Sequence, residues 1–429
     1  MADKVIDKLL IRLALAAAVL LPIAHLTSLG VMEMCGFVLF ATGTLLFMRE
    51  AMRDPAGALG RMRAGAVAPI AGYTVFSLLS IGLMLSQADD QIEALRELKW
   101  VLYFFAFLYS FERAWNNSWR RFIPVLATTV SLMGLFALGQ FVKGWEWPRP
   151  ESVLAPWGHY FRVTGFFNTP QSFAGNLGMA TFFLLGYGLA GSVGASRVTQ
   201  KLPLHLAVSA VMGALGVVLT LTRSAWFAGA TIAVLALGRF KKSWGALALL
   251  ALMCLSGLTV YSGSVFSDRL SGEVDLNIQS IEIRQELWSA NWRMFSEYPI
   301  LGVGPGQNVK QLENYYDNGA VEYAIIDRAH NNILEHLAGQ GIFAAIFYLI
   351  FSGYFIWIAY WLSRQQNFGD FARGIGSGSL FAQIYFQALG LVDSNFFDQE
   401  VKNAVVYLWA LTAAVFGRVK YGGVAERSE

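Results

Sequence analysis

Long apolar runs are the feature that most constrains what this chain can fold into. Runs of roughly 18 or more residues recur along it, and each can cross about 30 Å of hydrocarbon as a helix. They are continuous rather than alternating, which excludes a closed β-barrel as the membrane structure. Only 14% of the residues are charged and 55% are hydrophobic, so the charge is far below that of a soluble domain. The sequence therefore predicts an all-α polytopic membrane protein.

The apolar runs define about twelve candidate transmembrane helices. Their predicted positions are 9–28, 31–48, 67–86, 98–111, 122–142, 172–192, 204–222, 224–238, 245–262, 337–362, 376–393 and 404–417. The first run has basic residues before it, as a signal peptide does, but the spans behind it favour an uncleaved first helix. One long polar segment, 263–336, separates the ninth span from the tenth. We predict three regions: 1–262, 263–336, and 337–429 with a short tail.

Basic residues in the loops predict the orientation of these spans. With the N-terminus inside, every inside loop is basic, whereas the outside loops hold fewer cations for their length. Both termini are then inside and segment 263–336 is outside. The net charge of +3 reflects this loop bias and does not indicate nucleic-acid binding. Cys35 and Cys254 both lie in apolar runs, so neither a disulfide nor a thiolate metal site is predicted.

Four candidate functional residues fall on the predicted outer face: Arg162, Arg223, Arg284 and His330. Arg223 sits in a very short hairpin between two apolar runs, which holds its guanidinium at the membrane boundary. Apolar residues recur at helical spacing in 280–297 and predict an amphipathic helix with Arg284 on its membrane-facing side. The alternative for each arginine is a cation that reaches headgroups or water without binding a substrate.

His330 precedes two asparagines that can cap the following helix. A lone histidine is more often structural than catalytic. His336 does not form a metal pair with it, because six residues of helix separate the two rings by about 240°. The run Gly302–Gly306 lacks the Lys-Ser/Thr and the strand–helix context of a phosphate loop, so we predict a turn there.

Further charged residues lie in the outer loop before the fourth span. Asp89 and Asp90 form the acidic pair best placed to recruit a divalent cation, with a solvated loop as the alternative. Arg96 and Lys99 follow, and we expect them near the outer headgroups.

Arginines and a histidine on one face suit transfer of a group from a diphosphate. Arginine binds phosphate oxygens through two parallel hydrogen bonds, and it can stabilise the charge that develops as the leaving group departs. A neutral histidine can take a proton from an attacking hydroxyl. The simplest reaction that unites them is glycosyl transfer from a polyprenyl diphosphate to an acceptor hydroxyl, with no metal and no cofactor.

Several motifs occur together in a fixed order. They are LTLTRSAW around Arg223, R-x-x-L-W-x-x-x-W from Arg284 to Trp292, then PILGVGPG and AHNNILEHLAGQG. In order and spacing they resemble the O-antigen ligase family (WaaL-type), which shares a signature region with O-antigen polymerases and bacterial protein O-oligosaccharyltransferases. The resemblance is most specific over about 160–345.

The resemblance implies a GT-C-like enzyme of twelve spans in the bacterial inner membrane, with a periplasmic active site. Such an enzyme is metal-independent and inverting. It transfers O-antigen polysaccharide from undecaprenyl diphosphate to a sugar hydroxyl of lipid A–core in lipopolysaccharide biosynthesis. By resemblance, Arg223 and Arg284 hold the diphosphate and His330 activates the acceptor hydroxyl. Arg162 matches a recurrent family position, with a less defined role. Arg96 and Lys99 are assigned to the lipid headgroup from their position in the outer loop and not from the resemblance.

Other functions stay open from the sequence. A polymerase shares the donor chemistry and differs only in the acceptor. A transporter of lipid-linked sugars would place ionisable residues near mid-membrane, whereas this chain concentrates them at one face. A metal-dependent glycosyltransferase would rest on Asp89 and Asp90. A protein oligosaccharyltransferase is expected to carry a sizeable C-terminal periplasmic region, in place of the short tail after Arg418.

Overall fold

The computed structural model describes residues 2–114, 122–146, 156–157, 160–191, 203–239, 276–316, 328–365 and 369–421. Nearly all of this part of the chain is helical, as predicted. The helices up to the polar segment are α1 (Ala2–Thr27), α2 (Leu29–Ala51), α3 (Pro55–Gly60), α4 (Val67–Met84), α5 (Ala88–Glu97), α6 (Lys99–Ala114), α7 (Phe122–Lys143), α8 (Pro170–Gly191), α9 (Leu204–Leu219) and α10 (Arg223–Arg239).

The remaining helices follow the same order along the chain. They are α11 (Leu276–Glu297), α12 (Asn308–Gln311), α13 (Asn332–Ser363), α14 (Gly369–Gly390) and α15 (Gln399–Tyr421). A 3₁₀ turn at Leu312–Asn314 follows α12. Two short strands, β1 (Pro156–Trp157) and β2 (Tyr160–Phe161), pair antiparallel with Trp157 opposite Tyr160.

The predicted spans can be compared with these helices one by one. Each predicted span coincides with a described helix except the ninth, at 245–262, which lies outside the described residues. By length and composition, six of the described helices can cross a membrane: α1, α2, α4, α7, α8 and α13. Large apolar side chains on α2 and α4 stay exposed, with Phe37 at 61% and Leu83 at 70%. In a bilayer these side chains would face lipid.

The centre of the bundle is built by close helix packing. The most extensive helix–helix contact joins α8 to α14. Glycines on both helices permit it: a Cβ at Gly186 would lie 2.5 Å from the Ser377 carbonyl oxygen, and one at Gly378 would lie 2.6 Å from that of Phe183. Small residues let helix backbones approach closely where lipid supplies no hydrophobic drive for association.

Long-range contacts bring several helix termini to one end of the bundle, here called the site end. The Lys402 ammonium pairs with Glu97, so the start of α15 meets the end of α5. The hydroxyl of Ser172, in the first turn of α8, contacts Asp398 just before α15. The Val163 amide donates to the Leu219 carbonyl at the end of α9 (3.4 Å).

The other end of the bundle is closed by a second set of contacts. Arg418 near the end of α15 pairs with Glu112 near the end of α6 (3.3 Å). The Tyr354 hydroxyl donates to the carbonyl of Ala64, ahead of α4 (3.0 Å). Arg162, Arg223, Arg284 and His330 each lie at, or contact, the helix termini gathered at the site end.

The polar segment docks on the first turns of α13. Buried side chains of α11, among them Leu287 and Met294, pack with Val303, Leu312 and Ala338. These two helices are thus joined by a small apolar core that is separate from the main core of the bundle.

Candidate functional site

Two of the predicted arginines come together at the site end. The Arg162 Nε donates to the Thr220 carbonyl (3.0 Å), in the turn between α9 and α10, and Arg223 begins α10 three residues later. Burial lowers the pKa of Arg162, and the neighbouring Arg223 guanidinium lowers it further. Two guanidinium groups this close repel each other. An anion between them removes that repulsion, so the pair is suited to bind one.

Arg284 and His330 are brought to a second point, the α14–α15 turn (residues 391–398). The Arg284 Nη1 donates to the Val392 carbonyl (3.0 Å). The His330 Nδ1 lies 3.4 Å from the Asp393 Oδ1. Because Val392 and Asp393 are consecutive, one short turn contacts both the arginine and the histidine.

Asp393 gives His330 a carboxylate partner. Both side chains are largely buried, with 18% of the histidine and 11% of the aspartate exposed. The Asp393 Oδ1 also accepts from the Ser394 amide (2.9 Å), which fixes the direction of the carboxylate. A carboxylate on one ring nitrogen sets the tautomer and orientation of an imidazole, leaving the other nitrogen to exchange a proton with a substrate.

The backbone of His330 adopts a left-handed conformation, with φ +49°. Such a conformation costs a non-glycine residue about 1–3 kcal/mol and persists only where its surroundings enforce it. Here the Trp288 indole donates to the Ala329 carbonyl (2.7 Å), and the Ala329 amide donates to Glu335 (2.6 Å). The residue before His330 is therefore held on both sides.

Two asparagines attach the start of α13 to the α14–α15 turn. Asn331 caps α13, as predicted, by accepting from the Ile333 and Leu334 amides, and its Nδ2 donates to the Leu391 carbonyl (2.9 Å). Asn332 is buried; it donates to the Asn395 side chain (2.6 Å) and accepts from the Phe396 amide (3.0 Å). These bonds fix the distance between His330 and Asp393.

The GVGPG run is a turn, as predicted, and it packs on a break in α13. Gly341 interrupts α13 with φ +79°, and Gly302 has φ +64°. The amides of Val303 and Gly304 donate to the carbonyls of Ala338 and Gly339 (2.9 and 2.8 Å). The turn thereby anchors the end of α11 to α13.

The predicted headgroup cations Arg96 and Lys99 flank Glu97 in the sequence, and Glu97 forms a partly buried ion pair with Lys402. Burial raises the pKa of Glu97, but the Lys402 ammonium outweighs it and, with Arg328 and Lys99, holds that pKa below its usual value. Arg96 is exposed, whereas Lys99 is half-buried. Arg328 lies two residues before His330 and 3.9 Å from Glu97, so this cationic group adjoins the histidine.

The acidic pair Asp89–Asp90 lies in the first turn of α5. Asp90 accepts from the ammonium of Lys310 (2.8 Å), which also pairs with Glu93 (2.6 Å). Within the described parts of the chain, no group of three or more His, Cys, Asp or Glu side chains is arranged to hold a metal ion.

Two acidic residues of the site were not predicted from the sequence, namely Asp393 and Glu335. Asp393 lies in the short polar run VDSN between two apolar stretches, a position that could have suggested a residue at the membrane boundary. Glu335 lies within the HNNILEH motif and is 1% exposed. An acidic residue among apolar neighbours is the signal that could have found it.

The helices and the polar cluster at one end define a class of protein: a multi-pass α-helical membrane protein with a basic, histidine-containing cluster at one end of its helical bundle. Residues 208–349 match the family model described as O-antigen ligase, so the resemblance is confirmed and this part of the chain carries that family's domain. The family covers O-antigen ligases and polymerases, glycosyltransferase-like enzymes with polyprenyl-linked donors. No curated protein matches the chain. The match includes Arg223, Arg284 and His330, whereas Arg162 and Asp393 lie outside it.

Proposed function

We propose that this protein is an O-antigen ligase. It would transfer O-antigen polysaccharide from undecaprenyl diphosphate to a sugar hydroxyl of lipid A–core, at the periplasmic face of the bacterial inner membrane. The observation that carries the proposal is the α14–α15 turn, where Arg284 and the His330–Asp393 pair meet. This arrangement puts a group that can accept a proton beside a group that can hold a diphosphate.

The proposed reaction is a single displacement with inversion at the anomeric carbon. The acceptor hydroxyl oxygen forms a bond to that carbon while the carbon–oxygen bond to the diphosphate breaks. We assign proton acceptance to the His330 Nε2, because Nδ1 faces Asp393. The bonding electrons leave with the diphosphate, whose growing charge Arg284, Arg223 and Arg162 would stabilise.

The architecture we propose is GT-C-like, with about twelve spans and both termini in the cytoplasm. Support comes from the contacts that gather the candidate residues at one end of the bundle. The membrane lipids themselves would contact Arg96 and Lys99, which border the site end. Regions 1–262, 263–336 and 337–429 are proposed as the units of this architecture.

A polymerase is the alternative function, because it would use the same donor and the same histidine. A deletion strain distinguishes the two. We expect it to keep long polysaccharide on the lipid carrier while its lipopolysaccharide lacks that polysaccharide, and we expect the wild-type gene but not His330→Ala to restore attachment. Lipopolysaccharide capped with single repeat units would instead identify a polymerase, and unchanged lipopolysaccharide would exclude both.

Metal independence is part of the proposal and has its own test. Purified enzyme is expected to keep its transfer rate in excess chelator, because arginines supply the charge that a metal would provide. Loss of activity that Mg²⁺ or Mn²⁺ restores would contradict this and direct attention to Asp89 and Asp90.

A further inference from the structure

We propose that Glu335 is a positioning residue that holds His330 and Asp393 in register. This inference rests on the proposed function, since it concerns the geometry of the same site. Glu335 lies in the first turn of α13 and is 1% exposed. It does not contact the His330 ring in any described hydrogen bond, so its effect would pass through the backbone on either side of the pair.

The Glu335 carboxylate joins three separate segments. Its Oε1 accepts from the Ala329 amide (2.6 Å) and from the Ser394 hydroxyl (3.0 Å). Its Oε2 accepts from the Asn308 Nδ2 (2.8 Å), just after the GVGPG turn. All three partners donate hydrogen bonds, which suits an ionised carboxylate because it can only accept them.

Two of these partners are the sequence neighbours of the His330–Asp393 pair, here called the dyad. Ala329 directly precedes His330, and Ser394 directly follows Asp393. One oxygen atom of Glu335 therefore holds both chain segments that carry the pair, whose atoms His330 Nδ1 and Asp393 Oδ1 lie 3.4 Å apart. The Ser394 Oγ also accepts from the Asn331 amide (3.2 Å), which closes the connection on the far side of the histidine.

The strained backbone of His330 explains why such a connection is needed. A left-handed residue relaxes unless its neighbours are fixed, and relaxation would turn the imidazole away from Asp393. The Ala329 peptide is held at its oxygen by Trp288 and at its nitrogen by Glu335. Trp288 alone would leave the Ala329 amide without a partner. Glu335 accepts from that amide and from the Ser394 hydroxyl, and so ties the Ala329 peptide to Ser394.

A simpler role as a helix cap does not account for these contacts. Acidic residues in the first turn interact favourably with the helix dipole, but the Asn331 side chain already caps α13 by accepting from the Ile333 and Leu334 amides. Both Glu335 oxygens are directed instead at residues outside the helix.

The test compares Glu335→Ala and Glu335→Gln with a matched control, Glu50→Gln. Glu50 accepts from the Tyr109 hydroxyl (2.6 Å) and the Arg61 Nε (2.9 Å), at the other end of the bundle. We expect kcat to fall about 100-fold in Glu335→Ala, as for a small misplacement of reacting groups. KM for donor and acceptor should change less than about threefold, the pattern of a loss confined to the transition state.

The glutamine variant keeps the inference testable if the alanine variant fails to fold. Glutamine retains one oxygen for Ala329 and Ser394 but presents an amide to Asn308, so its kcat should lie between those of wild type and Glu335→Ala. Glu50→Gln should keep the wild-type kcat. An alanine variant that folds and keeps the wild-type kcat, or a glutamine variant with raised KM at normal kcat, would overturn the positioning role.

A double-mutant cycle combines Glu335→Gln with Asp393→Asn and compares their losses in kcat. A merely structural role of Glu335 would not make the two losses depend on each other. If Glu335 acts through the dyad, the second substitution adds little to the first; fully additive losses would refute the inference. High-resolution structures of Glu335→Gln and Glu335→Ala decide the matter independently of any activity. A His330–Asp393 separation unchanged from wild type in the alanine variant would overturn the inference even if the proposed reaction were wrong.

Discussion

At the scale of single residues, His330 combines a strained backbone with a carboxylate partner. Asparagine tolerates the left-handed region better than most residues, so His330→Asn should fold as well as the wild type. It should nevertheless lose transfer activity, because an amide cannot accept the proton of the acceptor hydroxyl. Thermal unfolding in detergent and transfer to lipid A–core measure the two properties separately. Activity near the wild-type level in this variant would remove His330 from the reaction.

Asp393 provides a second test of the same pair. Asp393→Asn keeps the shape of the side chain but can present an N–H to the His330 Nδ1, which would favour the wrong tautomer. We expect kcat to fall by about 10²–10⁴, the range that a positioned proton-transfer group contributes. Steady-state kinetics with donor and acceptor varied in turn are the measurement. A loss seen only in donor KM would place Asp393 in diphosphate binding instead.

The sequence singles out the arginines and His330 as candidates because a charge in an apolar chain is conspicuous. Asp393 was not singled out, because its contact with His330 joins residues 63 positions apart, and its polar run VDSN suggests at most a residue near the membrane boundary. Arg162 and Arg223 each suggested a boundary cation, and only the tertiary structure shows that they are close enough for Arg223 to lower the pKa of Arg162.

At the scale of elements, the break in α13 positions the polar segment. A Cβ at Gly341 would collide with the Ile300 carbonyl, and φ +79° disfavours any other residue there. Gly341→Ala should therefore lower the free energy of unfolding by about 2 kcal/mol, which a lower melting temperature would show. The transfer rate should fall as well. Gly353 lies in the same helix with nothing within 4 Å of an added Cβ. Gly353→Ala should be neutral or slightly stabilising, and equal destabilisation by both variants would contradict the special role of the break.

The ion pair between Glu97 and Lys402 joins α5 to α15. Glu97→Gln leaves the buried Lys402 without its carboxylate, and we expect a loss of about 2 kcal/mol, reduced from the fully buried case because Glu97 is partly exposed. Replacing both, as Glu97→Gln with Lys402→Met, should recover much of that stability. Thermal unfolding of the two variants measures the difference.

The same pair predicts a pH dependence. Because the pKa of Glu97 is held below its usual value of 4.5 in the folded protein, its stabilising effect is complete above that value. The effect is lost as the pH falls below 4.5 and through the lowered pKa. Unfolding followed from pH 7 to pH 3 should show a steeper acid loss in the wild type than in the double variant. Parallel curves would contradict this assignment.

The positions of most helices followed from apolar runs, because length and hydropathy alone decide whether a segment can cross a bilayer. The break at Gly341 could not be predicted from the sequence, because glycine also occurs within tightly packed continuous helices, as at Gly186. The start of α13 at Asn332, ahead of the predicted 337, reflects a capped polar turn that hydropathy does not detect.

At the scale of the whole molecule, the orientation in the membrane is the property to measure. Asn168 is exposed at the site end and Met52 is exposed at the other end. With Cys35 and Cys254 replaced by alanine, Asn168→Cys should react with a membrane-impermeant maleimide on cells with a permeabilised outer membrane, whereas Met52→Cys should react only after lysis. The reverse labelling pattern would show that the site end faces the cytoplasm and would contradict the proposed reaction.

The α14–α15 turn also has a consequence for how the protein is made. The turn supplies the contacts that fix Arg284 and His330, yet it lies between the last two described helices and is among the last parts of the site to leave the ribosome. Arg162 and Arg223, which we propose to bind the diphosphate, emerge much earlier. A nascent chain could thus acquire affinity for a lipid diphosphate well before it could react. On the proposed function, catalytic competence would arise only when the α14–α15 hairpin is inserted, so a donor bound to a partial chain would not be transferred during synthesis of the protein.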